Sequence, residues 1–137
     1  MSEWVFDASV TLAWCFDDER TANSDALFDR LKSRIPAIVP QIWPMEVTNV
    51  LALAGRKGRI TVAERRQFLS MLESASVTVD APSMATIFND VLAIAQSHRL
   101  TAYDASYLEL AMRLGLPLAT LDKDLHKAAR AAGLRLL

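Results

Sequence analysis

Four acidic residues stand where chemistry could be done: Asp7, Glu46, Asp104 and Asp122 each open a segment that reads as a helix. Asp7 ends the run WVF and precedes ASVTLAWCF. Glu46 lies in the first turn after Pro44. Asp104 follows Thr101 in LTAYDASYLELA, and Asp122 follows PLAT and begins the last helix. An acid in such a place has a structural use, because the dipole and free N–H groups of a helix start stabilise negative charge by about 0.3–1 kcal/mol. Thr101 and Asp104 even have the spacing of a capping box, with Asp in place of Glu. Brought to one point, however, four carboxylates cannot all ionise without a cation, since close like charges raise one another's pKa. All-oxygen donors suit a hard ion, Mg²⁺ or Mn²⁺. Such an ion with its waters is a device for phosphoryl transfer. The pattern is therefore either four helix caps or one metal-dependent phosphoesterase site.

The elements between these acids decide whether they can meet. Trp4–Phe6, 35–40 (IPAIVP), Val77–Val79 and 116–120 (LPLAT) read as short apolar strands, and Leu134–Leu137 as a last one. Helical patterns separate them: 8–16, 17–32, one beginning near Pro44 and ending near Gly55 or Gly58, 61–73, 83–98, 101–114 and 122–132. Thr61 and Glu64 form a capping box for the fourth. Tyr103, Tyr107, Leu110 and Ala111 follow the spacing of a buried face in the helix of Asp104. Strands alternating with helices predict an α/β domain with a parallel sheet. In that architecture strand carboxyl ends and the helix starts after them share one edge, where ligands bind. Asp7, Glu46, Asp104 and Asp122 could all lie there.

The bulk properties narrow the function classes. The 137 residues fit one domain, 1–137. The formal net charge of −1 excludes a general electrostatic grip on nucleic acid but not a local basic patch. The single cysteine, Cys15, permits no intrachain disulfide and reads as a buried thiol. The acidic start MSEWVFDAS is unlike a secretory signal, and no apolar run nears the ~18 residues of a membrane span, so the expected compartment is the cytoplasm. The four glycines form no phosphate-binding loop. His98 and His126 lack ligand spacing and read as surface residues.

Four segments together resemble the PIN-domain ribonucleases, specifically the VapC-type toxins of VapBC toxin–antitoxin pairs: FDASV with Asp7, WPMEVTNVLA with Glu46 and Asn49, LTAYDASYLELA with Asp104, and PLATLDKDL with Thr120 and Asp122. The resemblance spans the chain. It implies a three-layer α/β/α PIN-like domain with a short parallel sheet, Mg²⁺- or Mn²⁺-dependent endoribonuclease activity, a homodimer, and a cognate VapB-type antitoxin that blocks the site. Residue by residue it implies that Asp7, Glu46, Asp104 and Asp122 are the catalytic, metal-holding quartet, with Asp7 and Asp104 the main ligands. Ser9 and Thr120 match small polar supports of that site, and Asn49 stands one turn from Glu46, where it could hold the carboxylate. Asp124 competes with Asp122 for the fourth position. Glu109 matches the family pattern but lies more than a turn from Asp104, and reads as structural.

RNA contact must come from local charge. Arg56, Lys57, Arg59, Arg65 and Arg66 cluster near one helix end, while Lys123 and Lys127 follow Asp122 and are the expected phosphate contacts. Trp14 and Trp43 flank acidic segments and read as packing residues rather than base-stacking platforms. Two rival functions remain. A phosphoaspartate phosphatase of the haloacid-dehalogenase kind needs Asp-x-Asp after the first strand, where this chain has Asp7-Ala8-Ser9. A non-catalytic PIN-like protein-interaction module is the other.

Overall fold

A computed structural model describes residues 3–137, so the first two residues of the expected domain 1–137 lie outside the described residues. In chain order the elements are β1 (Val5–Phe6), α1 (Ala8–Cys15), a 3₁₀ turn (Asp17–Glu19), α2 (Ala22–Lys32), β2 (Ala37–Pro40), α3 (Ile42–Arg56), α4 (Val62–Ser74) and β3 (Val77–Asp80). A π-wound turn (Thr86–Val91) leads into α5 (Leu92–His98), followed by α6 (Ala102–Leu114), β4 (Leu118–Ala119) and α7 (Lys123–Ala131).

The sheet is parallel throughout. β2 pairs with β3 from Ala37–Val77 to Pro40–Asp80, and β1 pairs with β4 through Val5–Leu118 and Phe6–Ala119. Single bridges, Trp4 to Ala37 and Leu118 to Leu136, join these pairs and add the C-terminal residues. The spatial order is thus β3, β2, β1, β4, Leu136. Right-handed crossovers place α1–α4 on one face and α5–α7 on the other. α6 lies across β1, β2 and β4, with α5 and α7 beside it. The α/β/α expectation holds. Because successive strands run one way from β1 and the other way from β4, the crevice beyond their carboxyl ends is a topological switch point.

The core explains the short strands. Val5, Phe6, Leu118 and Ala119 are fully buried, as expected of strands covered on both faces. Phe6 meets Trp43 edge-on at 5.6 Å and Trp14 at 5.1 Å, and Trp14 meets Phe28 at 5.5 Å. The indoles are held by hydrogen bonds, Trp43 Nε1 donating to Thr11 Oγ1 (2.9 Å) and Trp14 Nε1 to the Ser24 carbonyl (2.9 Å). Both tryptophans are packing residues, as their sequence context suggests.

Several local expectations need correcting. The segment 17–32 is not one helix: Thr21 caps α2 in a capping box with Ser24, so the chain must leave helical geometry before it. α3 starts at Ile42, so Pro44 lies in its first turn as expected, but Glu46 falls in the second turn. The helix 83–98 contains a π turn, and Asn89 Nδ2 donates to the Ala85 carbonyl (2.8 Å), competing for the acceptor that an α-turn uses. The strand 116–120 shortens to Leu118–Ala119, and Leu134–Leu137 to one bridge at Leu136. Cys15 is half-buried and lines an open cleft with Trp14, Phe16 and Phe28 rather than lying in the core. Among the described residues no helix is long and apolar enough to cross a membrane.

Candidate active site

Asp7 follows β1 directly and Thr120 follows β4 directly, so the pairing of these two strands sets them side by side. The Asp7 amide donates to the Ala119 carbonyl at 3.3 Å. The Asp7 side chain is 4 % exposed and does two things at once. Its Oδ1 caps α1 by accepting from the Val10 amide (3.1 Å) and also accepts from Ser9 Oγ (2.6 Å), while its Oδ2 accepts from Thr120 Oγ1. Thr120 Oγ1 in turn accepts from the Asp122 amide (3.0 Å), and Ser9 Oγ from the Leu121 amide (2.9 Å). Ser9 and Thr120 therefore stitch Asp7 to the start of the α7 segment. Burial pushes the Asp7 carboxyl above its ordinary range; the bonds from Ser9, Thr120 and Val10 counter that, and the Asp122 charge adds to it.

The other three acids come from different elements. Asp122 caps α7, its Oδ1 accepting from the Leu125 amide (2.9 Å). Glu46 projects from α3 and accepts a 2.6 Å hydrogen bond from the hydroxyl of Tyr107 on α6. Tyr107 is 1 % exposed, and its burial beside Glu46 drives its phenol well above the usual range. Asp104 is half-buried in the first turn of α6. Only half of the expected capping box forms there: Thr101 Oγ1 accepts from the Asp104 amide (3.1 Å), but the carboxylate does not return a bond to the Thr101 amide. Thr61 and Glu64 make both halves in α4. Asp104 has no hydrogen bond to its carboxylate among the described residues. Its pKa is pushed up to about 6, first by burial and then by the charges of Asp122, Glu46, Asp7 and Asp124, in that order.

The other three members of the quartet all act electrostatically on Asp104, so the four lie near one another. Asp122 stands closer to it electrically than Asp124 does and alone also acts on Asp7, so Asp122 is the better fourth member; Asp124 is exposed in the first turn of α7. Asn49 is exposed one turn after Glu46, and the side chain that holds Glu46 is Tyr107 instead. The sequence pattern places Tyr107 on a buried face, which it occupies, yet offers no sign that its hydroxyl points at an acid. Tyr103, expected on the same face, is 58 % exposed. Glu109 is buried and held by Arg113 (2.7 Å), which also binds Asp80 (2.6 Å), so it is structural as expected. Lys123 and Lys127 are exposed on α7, leading away from Asp122.

The donor set fits a hard divalent ion in its chemistry. It is all oxygen, and its members raise the pKa of Asp104 as crowded anions do. The side chains do not form a closed cage: among the described residues no three His, Cys, Asp or Glu side chains are arranged to hold an ion. Mg²⁺ does not require such a cage, since it is bound through one or two carboxylates and keeps several waters. The support from Tyr107 is directly testable. Tyr107→Phe leaves Glu46 half-buried without its donor, and is expected to lower divalent-metal affinity or activity by roughly 10–100-fold. Thermal denaturation of the same variant should show a loss of only about 1 kcal/mol.

Comparison with known proteins gives matches along most of the chain. A family model described as "PIN domain" matches residues 4–131. The chain is 29 % identical over 121 residues to "Ribonuclease VapC3" of Pyrobaculum aerophilum, covering 88 % of this chain and 90 % of the relative. It is 32 % identical over 132 residues to "Exonuclease VapC9" of the same organism, covering 95 % and 88 %. The crystal structure of PAE2754 from Pyrobaculum aerophilum superposes with a TM-score of 0.74 at 28 % identity, over 98 % of this chain and 90 % of that one. That of FitAcB from Neisseria gonorrhoeae gives a TM-score of 0.61 at 17 % identity, over 97 % and 95 %, and so shares the fold.

Proposed function

Since the chain belongs to the PIN-domain family, we propose that it is a metal-dependent endoribonuclease, the toxin of a type II toxin–antitoxin module, held in check by a VapB-type antitoxin. The observation that carries this reading is Asp104: a half-buried carboxylate with four acids around it and no hydrogen bond of its own. A side chain serving only as a cap would be spent on the backbone. The names of two curated relatives support a nuclease of the VapC type.

In this reading Asp7, Glu46, Asp104 and Asp122 together hold Mg²⁺ or Mn²⁺, with Asp7 and Asp104 as the main ligands and the others acting directly or through water. When bound, the ion supplies Lewis-acid polarisation of the scissile phosphate and activation of the attacking water. The chain supplies the rest. Ser9 and Thr120 fix the Asp7 carboxylate from both sides, and Tyr107 fixes Glu46. Asp122 keeps one oxygen on the α7 backbone, leaving the other for the pocket. Asp104 is the uncommitted member, ionised above pH about 6. Asp124 sits at the rim and adds negative charge.

Grooves flank α7 on both sides, one reaching Asp122 and the other Asp124. A strand can therefore lie across the acids without entering by an end, which favours internal cleavage. The test is a circular RNA incubated with purified protein in Mg²⁺ or Mn²⁺ and in EDTA. Metal-dependent linearisation at defined positions is the expected result. Intact circles in every metal, beside degradation of linear RNA from its ends, would make the protein an exonuclease; no cleavage of either would leave an interaction module. The proposal extends to a cytoplasmic homodimer, for which the exposed apolar side chains Met45 (66 %), Met84 (71 %) and Phe88 (66 %) offer surface.

A further inference from the structure

We propose that the groove between α2 and α7 is a track for the backbone of single-stranded RNA, with Lys123, Lys127 and Arg130 as its phosphate contacts. The inference rests on the ribonuclease reading of the acids and adds the path by which substrate reaches them. The groove, about 430 Å³, starts at Thr120 and Asp122 and runs along α7 to Arg130, with Asn23 in its lining. It is thus continuous with the acidic pocket through two residues of that pocket.

α7 is divided cleanly. Leu125, Ala128 and Ala129 are buried, while Lys123, Lys127 and Arg130 recur at i, i+4 and i+7 and form one exposed stripe. Seven residues at 1.5 Å make the stripe about 10 Å long. None of its three cations has an ion-pair partner among the described residues; the pairs of Arg20, Lys32, Arg59 and Arg113 lie elsewhere. Asp124 stands three residues before Lys127 and makes no ion pair with it.

Arg130 suits the last turn of α7, but the two lysines do not serve the helix. Lys123 is the first residue of α7, where the dipole disfavours a cation. Lys123 and Lys127 are also like charges at i, i+4, a spacing that destabilises an isolated helix. Local choices that oppose the fold mark a site of function. The competing basic surfaces are weaker candidates. Arg59, in the α3–α4 turn, is committed to Asp18 (2.6 Å) and Glu19 (2.9 Å) and stacks 3.9 Å over Phe16. The groove on the opposite side of α7 shares Lys127 and adds His98 and Arg99, but it reaches Asp124 rather than Thr120 and Asp122.

The geometry selects a single strand. One stripe engages one backbone, and the facing wall, Asn23 and Leu121, is uncharged. Asp7 is recessed, so the scissile phosphate has to dip into the crevice, which a flexible strand does and a duplex does not. His126, half-buried between the cations, presents a ring on which an unpaired base can stack.

The test is the salt dependence of binding, read by fluorescence anisotropy with a labelled single-stranded RNA oligonucleotide in Mg²⁺. It is carried in an Asp7→Asn background, so that the RNA stays whole. Three phosphate contacts contribute about −2 to the slope of log K against log salt. Lys127→Ala/Arg130→Ala is expected to reduce the magnitude of the slope by about 1.4 and weaken binding tenfold or more at low salt. Arg65→Ala/Arg66→Ala should change neither, and a duplex of equal length should bind more weakly. An unchanged slope in the α7 variant, an equal loss in the control, or a duplex preference would overturn the track. Because binding is read without cleavage, the track can stand or fall separately from the nuclease reading, which the circular RNA decides.

Discussion

Asp104→Asn is expected to abolish metal-dependent RNA cleavage while raising the melting temperature. The activity loss should be on the order of 10³-fold, since removing a supporting group around a metal already costs 10–100-fold and removing a preorganised electrostatic contact 10²–10³-fold. The stability gain follows from the same crowding. Asn keeps the size of the side chain and the backbone amide that Thr101 caps, but removes a charge that burial disfavours and that Asp122, Glu46 and Asp7 repel. The shift from 3.8 to about 6 corresponds to about 3 kcal/mol if taken whole, and solvent screening at this half-exposed site brings it to about 1–2 kcal/mol. For a domain of this size that is a rise of roughly 3–8 °C, read by differential scanning calorimetry in EDTA. A residue whose role was to stabilise its helix would move the other way. Opposite signs for activity and stability are the signature of a functional site held against its own repulsion.

The second large effect is a pH dependence with a definite direction. Asp104 binds its proton more tightly in the folded state than in the unfolded chain, as does Asp7. Between pH about 4 and 6 the folded form therefore carries more protons, and stability falls as pH rises through that window. Glu64, whose pKa is lowered by its bonds to Thr61, works in the opposite sense from an exposed position. The difference in melting temperature between Asp104→Asn and wild type isolates the Asp104 contribution: near zero at pH 4, it should grow to its full value by pH 7. Saturating Mg²⁺ should abolish or reverse it, because a ligand that binds only the folded state adds RT ln(1 + [L]/Kd) to the wild type, about 2.7 kcal/mol at a hundredfold excess over Kd. At limiting metal, cleavage should follow the inverse course, falling as pH drops below about 6 and the proton competes with the ion for Asp104.

Much of this was legible in the residues, for identifiable reasons. Asp7 and Asp122 announce themselves because each follows an apolar strand and opens a helix, and β1–β4 pairing then brings them together. The alternation of strands and helices carried the fold class, because each crossover helix must cover the sheet. Tyr107 was hidden, since periodicity says that a ring is buried but not where its hydroxyl points. Asp104 was ambiguous for the opposite reason: Thr-x-x-Asp predicts a reciprocal cap, yet Asp is one methylene shorter than Glu, and only the Thr101 half forms. The break at Arg20–Thr21 and the π turn at Thr86–Val91 go with local side-chain bonds, the reciprocal pair between Thr21 and Ser24 and the one from Asn89 to Ala85, which a hydrophobic pattern does not weigh. The strands at 116–120 and 134–137 are shorter than their apolar runs because residues beside a strand, such as Leu116 and Leu134, pack against the core without joining the ladder, whereas β3 extends one residue beyond Val79 to Asp80.

Whether four helix-start acids make one metal site is decided most directly by calorimetric titration of Mn²⁺ into the wild-type protein and into Asp104→Asn at pH 7.5. Saturable binding by the wild type, lost or weakened at least 100-fold in the variant and weakened about tenfold at pH 5 by protonation of Asp104, is the predicted result. Equal binding by both proteins, or none by either, would contradict it and return Asp7 and Asp122 to the single task of capping α1 and α7.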